Sequence, residues 1–119
     1  MLGRGLAAVA VAACTLLIGG GGAWAQQTLE AVRNRGQLVC GIHTGIAGFA
    51  LPDSRGTWQG MDVDLCRGLA VAIFNDPNKV RFVPLSSSTR FTALGSGEID
   101  VLFRTSTQTM LRDVTLGLR

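Results

Sequence analysis

Arg104-Thr105-Ser106-Thr107 places one cation and three hydroxyls in four consecutive residues, and Arg112 follows shortly after. That set suits a carboxylate, because an ionised carboxyl group accepts hydrogen bonds and needs several donors around it. A short helix starting near Thr109 would let Arg112 turn a two-pronged guanidinium back toward the hydroxyls. The competing reading makes Arg112 and Asp113 a solvated helix surface and the Thr-Ser run an ordinary turn. Phe49 lies in a glycine-flanked loop, where an aromatic ring either covers an apolar ligand body or anchors the loop on the core. His43, Thr44 and Ser87 are further candidates to line a pocket, although His43 reads equally as a hydrogen-bonded or surface histidine.

No comparable support exists for catalysis, and no catalytic residue is assigned. Asp62, Asp64 and Asp100 are spread over a helix start and a strand and make no acid-base pair. No serine has a histidine and an acid at recognisable spacing. Gly95-Ser96-Gly97 ends a helix and opens a strand, the reverse of a phosphate-cradling loop. The single histidine and the absence of a Cys-x-x-Cys pair argue against a metal site, and no cofactor is expected. Net charge is only +3, no Tyr is present and no Lys/Arg cluster stands out, so nucleic acid is not an expected partner.

The elements that must position these residues are legible from pattern. Thr28 to Arg35 reads as a short helix with Thr28 as its cap and Gly36 as its stop. Leu38 to Ile42 is a compact apolar run, as in a strand covered on both faces. Thr44 to Gly60, with four glycines and Pro52, must be loop or hairpin. From Met61 to Phe74 the residues Cys66, Leu69, Ala70 and Ile73 form one apolar helical stripe, with Asp62 and Asp64 in the first turn. Val80 to Val83 reads as a second strand closed by Pro84. Ser86-Ser87-Ser88 is expected to cap a helix through Leu94, and Ile99 to Phe103 to form a third strand. Alternating strands and helices imply an α/β fold with a parallel sheet and right-handed crossovers. Three loops then share one edge: Thr44 to Phe49, Leu85 to Ser88 and Arg104 to Thr107. A strand order of two, one, three makes the first and third flank a ligand crevice.

The amino terminus carries Arg4, an apolar run from Leu6 to Ile18, four glycines and Ala23-Trp24-Ala25, which predicts a secretory signal over residues 1–25. The apolar run falls short of the ~20 residues that span a bilayer. Residues 26–119 then suffice for one small domain, carrying ten Lys plus Arg against eight Asp plus Glu. Cys40 and Cys66 remain after the signal. In an oxidising compartment they are either a helix-to-strand disulfide or two buried, inert thiols.

Several motifs together closely resemble the periplasmic general L-amino-acid-binding proteins of polar amino acid ABC transporters, within solute-binding protein family 3. They are Thr28-Leu29-Glu30-Ala31-Val32-Arg33, Leu38-Val39-Cys40-Gly41 with Thr44-Gly45 and Gly48-Phe49, and Gly60-Met61-Asp62-Val63-Asp64-Leu65-Cys66-Arg67. The likeness continues through Val83-Pro84-Leu85, Arg90-Phe91-Thr92-Ala93-Leu94, Gly97-Glu98-Ile99-Asp100-Val101-Leu102 and Arg112-Asp113. The resemblance implies a type II periplasmic-binding-protein fold, with two lobes that close over one L-amino acid and signal an inner-membrane ABC permease. Residues 26–119 are then the amino-terminal part of the first lobe, an incomplete lobe with the second absent, in a periplasmic and monomeric protein. It also implies that Arg112 grips the α-carboxylate, helped by the loop Arg104 to Thr107, while the loop Thr44 to Phe49 covers the ligand. Met61, Phe103 and Gln108 depart from the family pattern and leave side-chain preference open. The alternatives are an enzyme on the same fold, similar to the periplasmic dehydratases, and a secreted interaction domain.

Overall fold

The computed structural model describes residues 23–116, so the expected signal segment lies almost wholly outside the described residues. The chain divides between Glu30 and Ala31 into two units, and the sheet and its loops belong to the second. Helix α1 spans Ala23–Arg35. It starts ahead of Thr28, which therefore sits within the helix and is not its cap, because the Ala and Gln residues before it favour helix. Gly36, at φ 74°, ends it by donating its N–H to the carbonyls of Val32 and Arg33 at 3.1 and 3.0 Å.

Strand β1 (Leu38–His43) is buried along its length up to Ile42. It is the centre of a three-stranded parallel sheet between β4 (Val80–Leu85) and β5 (Val101–Leu102), the order that lets the first and third loops flank a crevice. Leu38 pairs with Val80, His43 with Leu85, and Gly41 with Leu102. Two strands differ from expectation. β4 continues through Pro84 to Leu85, because β4 is an edge strand and the missing proline N–H costs no ladder bond there. β5 is only two residues long, although Asp100 and Phe103 still donate their N–H groups to Val39 and Gly41 across it at 2.9 Å. The segment between β1 and the next helix holds a short hairpin of β2 (Leu51–Pro52) and β3 (Trp58–Gln59).

Both faces of β1 are covered, which is why its sequence shows no alternation. Cys40 and Ile42 pack with Val63 and Cys66 of helix α2 (Met61–Phe74), and Leu38 with Val32 and Ala70. The other face, Val39 with Leu85 and Ile99, meets Ala93 of helix α3 (Arg90–Gly95). Gly41 lies on that second face, where a Cβ would come within 2.6 Å of Ile99 Cδ1 and 2.9 Å of Leu85 Cδ1. The Ile99 and Leu85 side chains therefore close over β1 as they do only because this residue has no side chain.

Cys40 and Cys66, both fully buried, are joined in a disulfide with their Cα atoms 6.1 Å apart. The bond ties the centre of the sheet to the middle of α2. Next to it, at the start of β1, one carboxylate oxygen of Asp100 accepts the Val39 N–H at 2.7 Å and pairs with Arg35, which pins the end of α1 to the start of β5.

Candidate functional site

The loops after β1, β4 and β5 emerge at the carboxyl edge of the sheet, as the parallel register requires. After β1, the chain folds tightly on itself: Ile46 and Ala50 form a bridge, and the Phe49 N–H meets the Ile46 carbonyl at 3.1 Å. The carbonyls of Gly48 and Phe49 then accept the N–H groups of Met61 and Asp62 at 2.9 and 3.0 Å. Those N–H groups belong to the first turn of α2, which has no side-chain cap. Loop carbonyls thus satisfy a helix start that would otherwise leave donors orphaned. Gly60 makes this possible. At φ 125° a Cβ there would overlap the Phe49 carbonyl.

His43 closes β1 half-buried, and its Nδ1 accepts the Gly45 N–H at 3.2 Å, so the ring proton of the neutral form sits on Nε2. Thr44 is exposed and Phe49 half-buried. After β4, Ser86 and Thr89 bond each other's backbone N–H through their hydroxyls at 3.2 Å. Thr89, not the serine run, is the residue that precedes α3. Ser87 accepts from the Arg104 guanidinium at 3.3 Å, and the same guanidinium donates to the Leu85 carbonyl. Arg104 therefore clasps the end of β4 to the end of β5.

Arg112 lies on helix α4 (Met110–Leu116), close to the expected position, with Thr109 Oγ1 accepting its backbone N–H at 3.2 Å. Its guanidinium turns back onto the hydroxyl loop and donates to the Thr107 carbonyl. Its Cζ also stands 5.0 Å from the centre of the Phe91 ring. Arg90, which the pattern of residue types did not single out as a site residue, joins the same group. It is only 7% exposed, donates to the Thr105 carbonyl at 3.0 Å and lies 4.7 Å from the Phe91 ring centre. Burial, then the charges of Arg104 and Arg112, push its guanidinium below the ordinary value.

Three guanidiniums thus gather around the loop Arg104 to Thr107. Among the described residues the ion pairs are Arg35 with Asp100 and Arg67 with Asp64, so none of the three is paired to a carboxylate. Repulsion among them favours an incoming anion. Among the described residues no group of three His, Cys, Asp or Glu is placed to hold a metal.

Asp62 stands in the first turn of α2, as its position predicts, and is also buried there, 3% exposed, with one carboxylate oxygen lacking a hydrogen-bond partner. Burial raises its pKa, against the opposing pull of His43 and Arg104. A raised carboxyl pKa means the native state holds the proton more tightly than the unfolded chain. Asp62 therefore lowers stability as the pH rises from its ordinary value of 3.8 through the raised one. Denaturant melts of Asp62→Asn across that interval are expected to show a smaller decline than the parent; an equal decline would exclude Asp62 as the source. The comparison cancels Asp53, whose carboxyl is held low by the N–H groups of Thr57 and Arg55 and titrates in the opposite sense.

A separate concavity of about 310 Å³ is lined by Ala47, Gly48, Leu51, Pro52, Asp53, Gln59 and Gly60. It holds none of the expected site residues. The Asp53 carboxylate there is occupied by its own turn, at 2.8 and 2.9 Å from the Arg55 and Thr57 nitrogens.

Residues 38–117 match the bacterial extracellular solute-binding proteins, family 3. The glutamate/glutamine/aspartate/asparagine-binding protein BztA of Rhodobacter capsulatus is 54% identical over 97 residues, covering 82% of this chain and 29% of its own. The general L-amino acid-binding periplasmic protein AapJ of Rhizobium johnstonii is 48% identical over 112 residues, covering 94% and 33%. Among solved structures, a periplasmic binding protein of an ABC transporter from Brucella ovis with glutathione bound superposes with a TM-score of 0.73 at 56% identity, covering 76% of this chain and 28% of that one. The chain spans about a third of the length of these curated relatives.

Proposed function

This chain belongs to the bacterial extracellular solute-binding proteins of family 3, and on that premise we propose that it binds an L-amino acid by its α-carboxylate as part of an ABC transporter's periplasmic receptor. Arg112 supplies the principal charge. Arg104 holds the loop in place, and the hydroxyl and amide groups of Thr105 and Thr107 supply further donors. Phe49, Thr44, His43 and Ser87 line the sides. The cluster of Arg90, Arg104 and Arg112, with no carboxylate paired to it among the described residues, is the observation that carries this reading. An ABC permease of the inner membrane is the partner that the reading implies, and a monomer is the form that acts. The relatives, named as binding proteins for amino acids, favour a receptor over the dehydratase-like alternative and over a secreted interaction domain. Among the described residues no helix is long and apolar enough to cross a membrane, which is compatible with a periplasmic location.

Contacts to the α-carboxylate alone are expected to give weak affinity, with a Kd of about a millimolar. An NMR shift titration with L-glutamine or L-glutamate is the direct test. Arg112→Ala removes one charge-assisted donor pair and is expected to weaken binding about tenfold or more. Shifts that saturate at the same concentration in the variant would sink the assignment of Arg112, and no shifts in the parent chain would sink the receptor reading.

A further inference from the structure

Among the described residues Arg90 is a buried cation. It is only 7% exposed, its Nε, like that of Arg104, has no hydrogen-bond partner, and Arg104 and Arg112 are close enough to oppose its charge. A buried cation next to two others is costly unless its geometry does something that a neutral residue cannot. Two contacts show what that is. The Arg90 guanidinium donates to the carbonyl of Thr105, inside the hydroxyl loop, and it shares the Phe91 ring with Arg112. Arg112 in turn donates to the carbonyl of Thr107. The loop is therefore gripped by two guanidiniums at alternate carbonyls, and both guanidiniums rest on one aromatic ring. Cation attraction to a ring is strongest where water is excluded, as it is around Arg90.

We propose that Arg90 is a positioning residue of the carboxylate site, fixing the Thr105 backbone and, through Phe91, the direction of the Arg112 guanidinium. Turning the Thr105 carbonyl toward Arg90 commits that peptide's oxygen inward and leaves the following N–H groups and hydroxyls for an anion. Without Arg90 the carbonyl is free to face the crevice, where it would repel a carboxylate. The inference rests on the carboxylate reading above, and it assigns Arg90 no contact with the ligand.

The test compares L-glutamine with its α-carboxamide, which keeps the ammonium group and side chain and loses only the anion. The parent chain is expected to prefer L-glutamine. Arg90→Gln is expected to narrow that preference about tenfold, by weakening L-glutamine while leaving the carboxamide nearly unchanged. Arg90→Lys keeps the charge but loses the planar fork, and it should restore only part of the preference. A purely structural role would weaken both ligands equally, and that result, or an unchanged preference, overturns the proposal. If the Arg90 variants do not fold, Phe91→Leu removes the shared ring alone and must narrow the same preference; an unchanged preference there overturns the proposal as well. A parent chain that binds both ligands equally refutes the carboxylate reading itself, and this inference with it.

Discussion

Replacing Cys66 with Ala, or reducing the Cys40–Cys66 bond, is expected to lower the unfolding free energy by about 3 to 4 kcal/mol. The figure follows from the 26-residue separation that the bond closes, which restricts the unfolded chain more than the folded one. Against a total of about 5 to 15 kcal/mol for an ordinary domain, such a loss leaves little margin. The effect should be large here for a second reason. The bond joins the central strand to α2, while β5 contributes only two paired residues on the other side of the sheet. Urea unfolding with and without reductant measures it: the reduced protein should unfold at a lower midpoint. An unchanged midpoint would mean that packing of Val63, Ile42 and Ala50 holds α2 on the sheet without the bond. Both sulfurs are fully buried, so mild reductant should act slowly on the folded protein and quickly once denaturant opens it.

Gly60→Ala is expected to cost about 3 kcal/mol or more, combining backbone strain at φ 125° with a clash against backbone atoms that cannot swing aside. The Ala50 nitrogen, 3.1 Å from the added Cβ, closes off the remaining direction of relief. Relief requires moving the Phe49–Ala50 peptide, and that peptide carries the carbonyl which accepts the Asp62 N–H. The variant should therefore lose stability and also displace the loop that presents Phe49 to the crevice. Chemical denaturation gives the first effect, and the weakening of the L-glutamine titration gives the second. Contrast Gly36→Ala: no atom lies within 4 Å of the added Cβ, so only the positive φ of 74° opposes it and the loss should be smaller. Equal losses at the two positions would show that the clash at Gly60 is relieved cheaply.

The three arginines differ in how much of their capacity remains for a ligand. Arg104 spends donors on Leu85 and Ser87, and Arg90 spends one on Thr105. Arg112, on the short helix α4, spends one on Thr107. A guanidinium has five N–H donors, so each of the three retains some for a ligand. Arg90, which residue types did not single out, is a support beside the residues at positions 104–112.

Much of the fold was written in short-range pattern. The bounds of α2, Met61 and Phe74, are where the stripe of Cys66, Leu69, Ala70 and Ile73 and the stop at Asn75 place them, because helical periodicity and capping depend on residues a few positions apart. The parallel sheet follows from the alternation of elements, since crossover handedness leaves few alternatives, whereas the order of its strands does not. Proline at position 84 misled for the same local reason. Its missing N–H matters only if a neighbouring strand lies on that side, and strand position in a sheet is not a local property. The disulfide was one of two open readings until the face of β1 bearing Cys40 met the stripe bearing Cys66. Asp62 and Arg90 look like ordinary surface charges in sequence, each at the first turn of a helix. Only the tertiary structure buries them, because their surroundings come from strand ends tens of residues away. Residue types in this chain supply the donors that the proposed anion site needs. Which cations face it, and which are spent holding it together, is decided by sheet order and register, whose energies arise from long-range packing that no window of neighbouring residues contains.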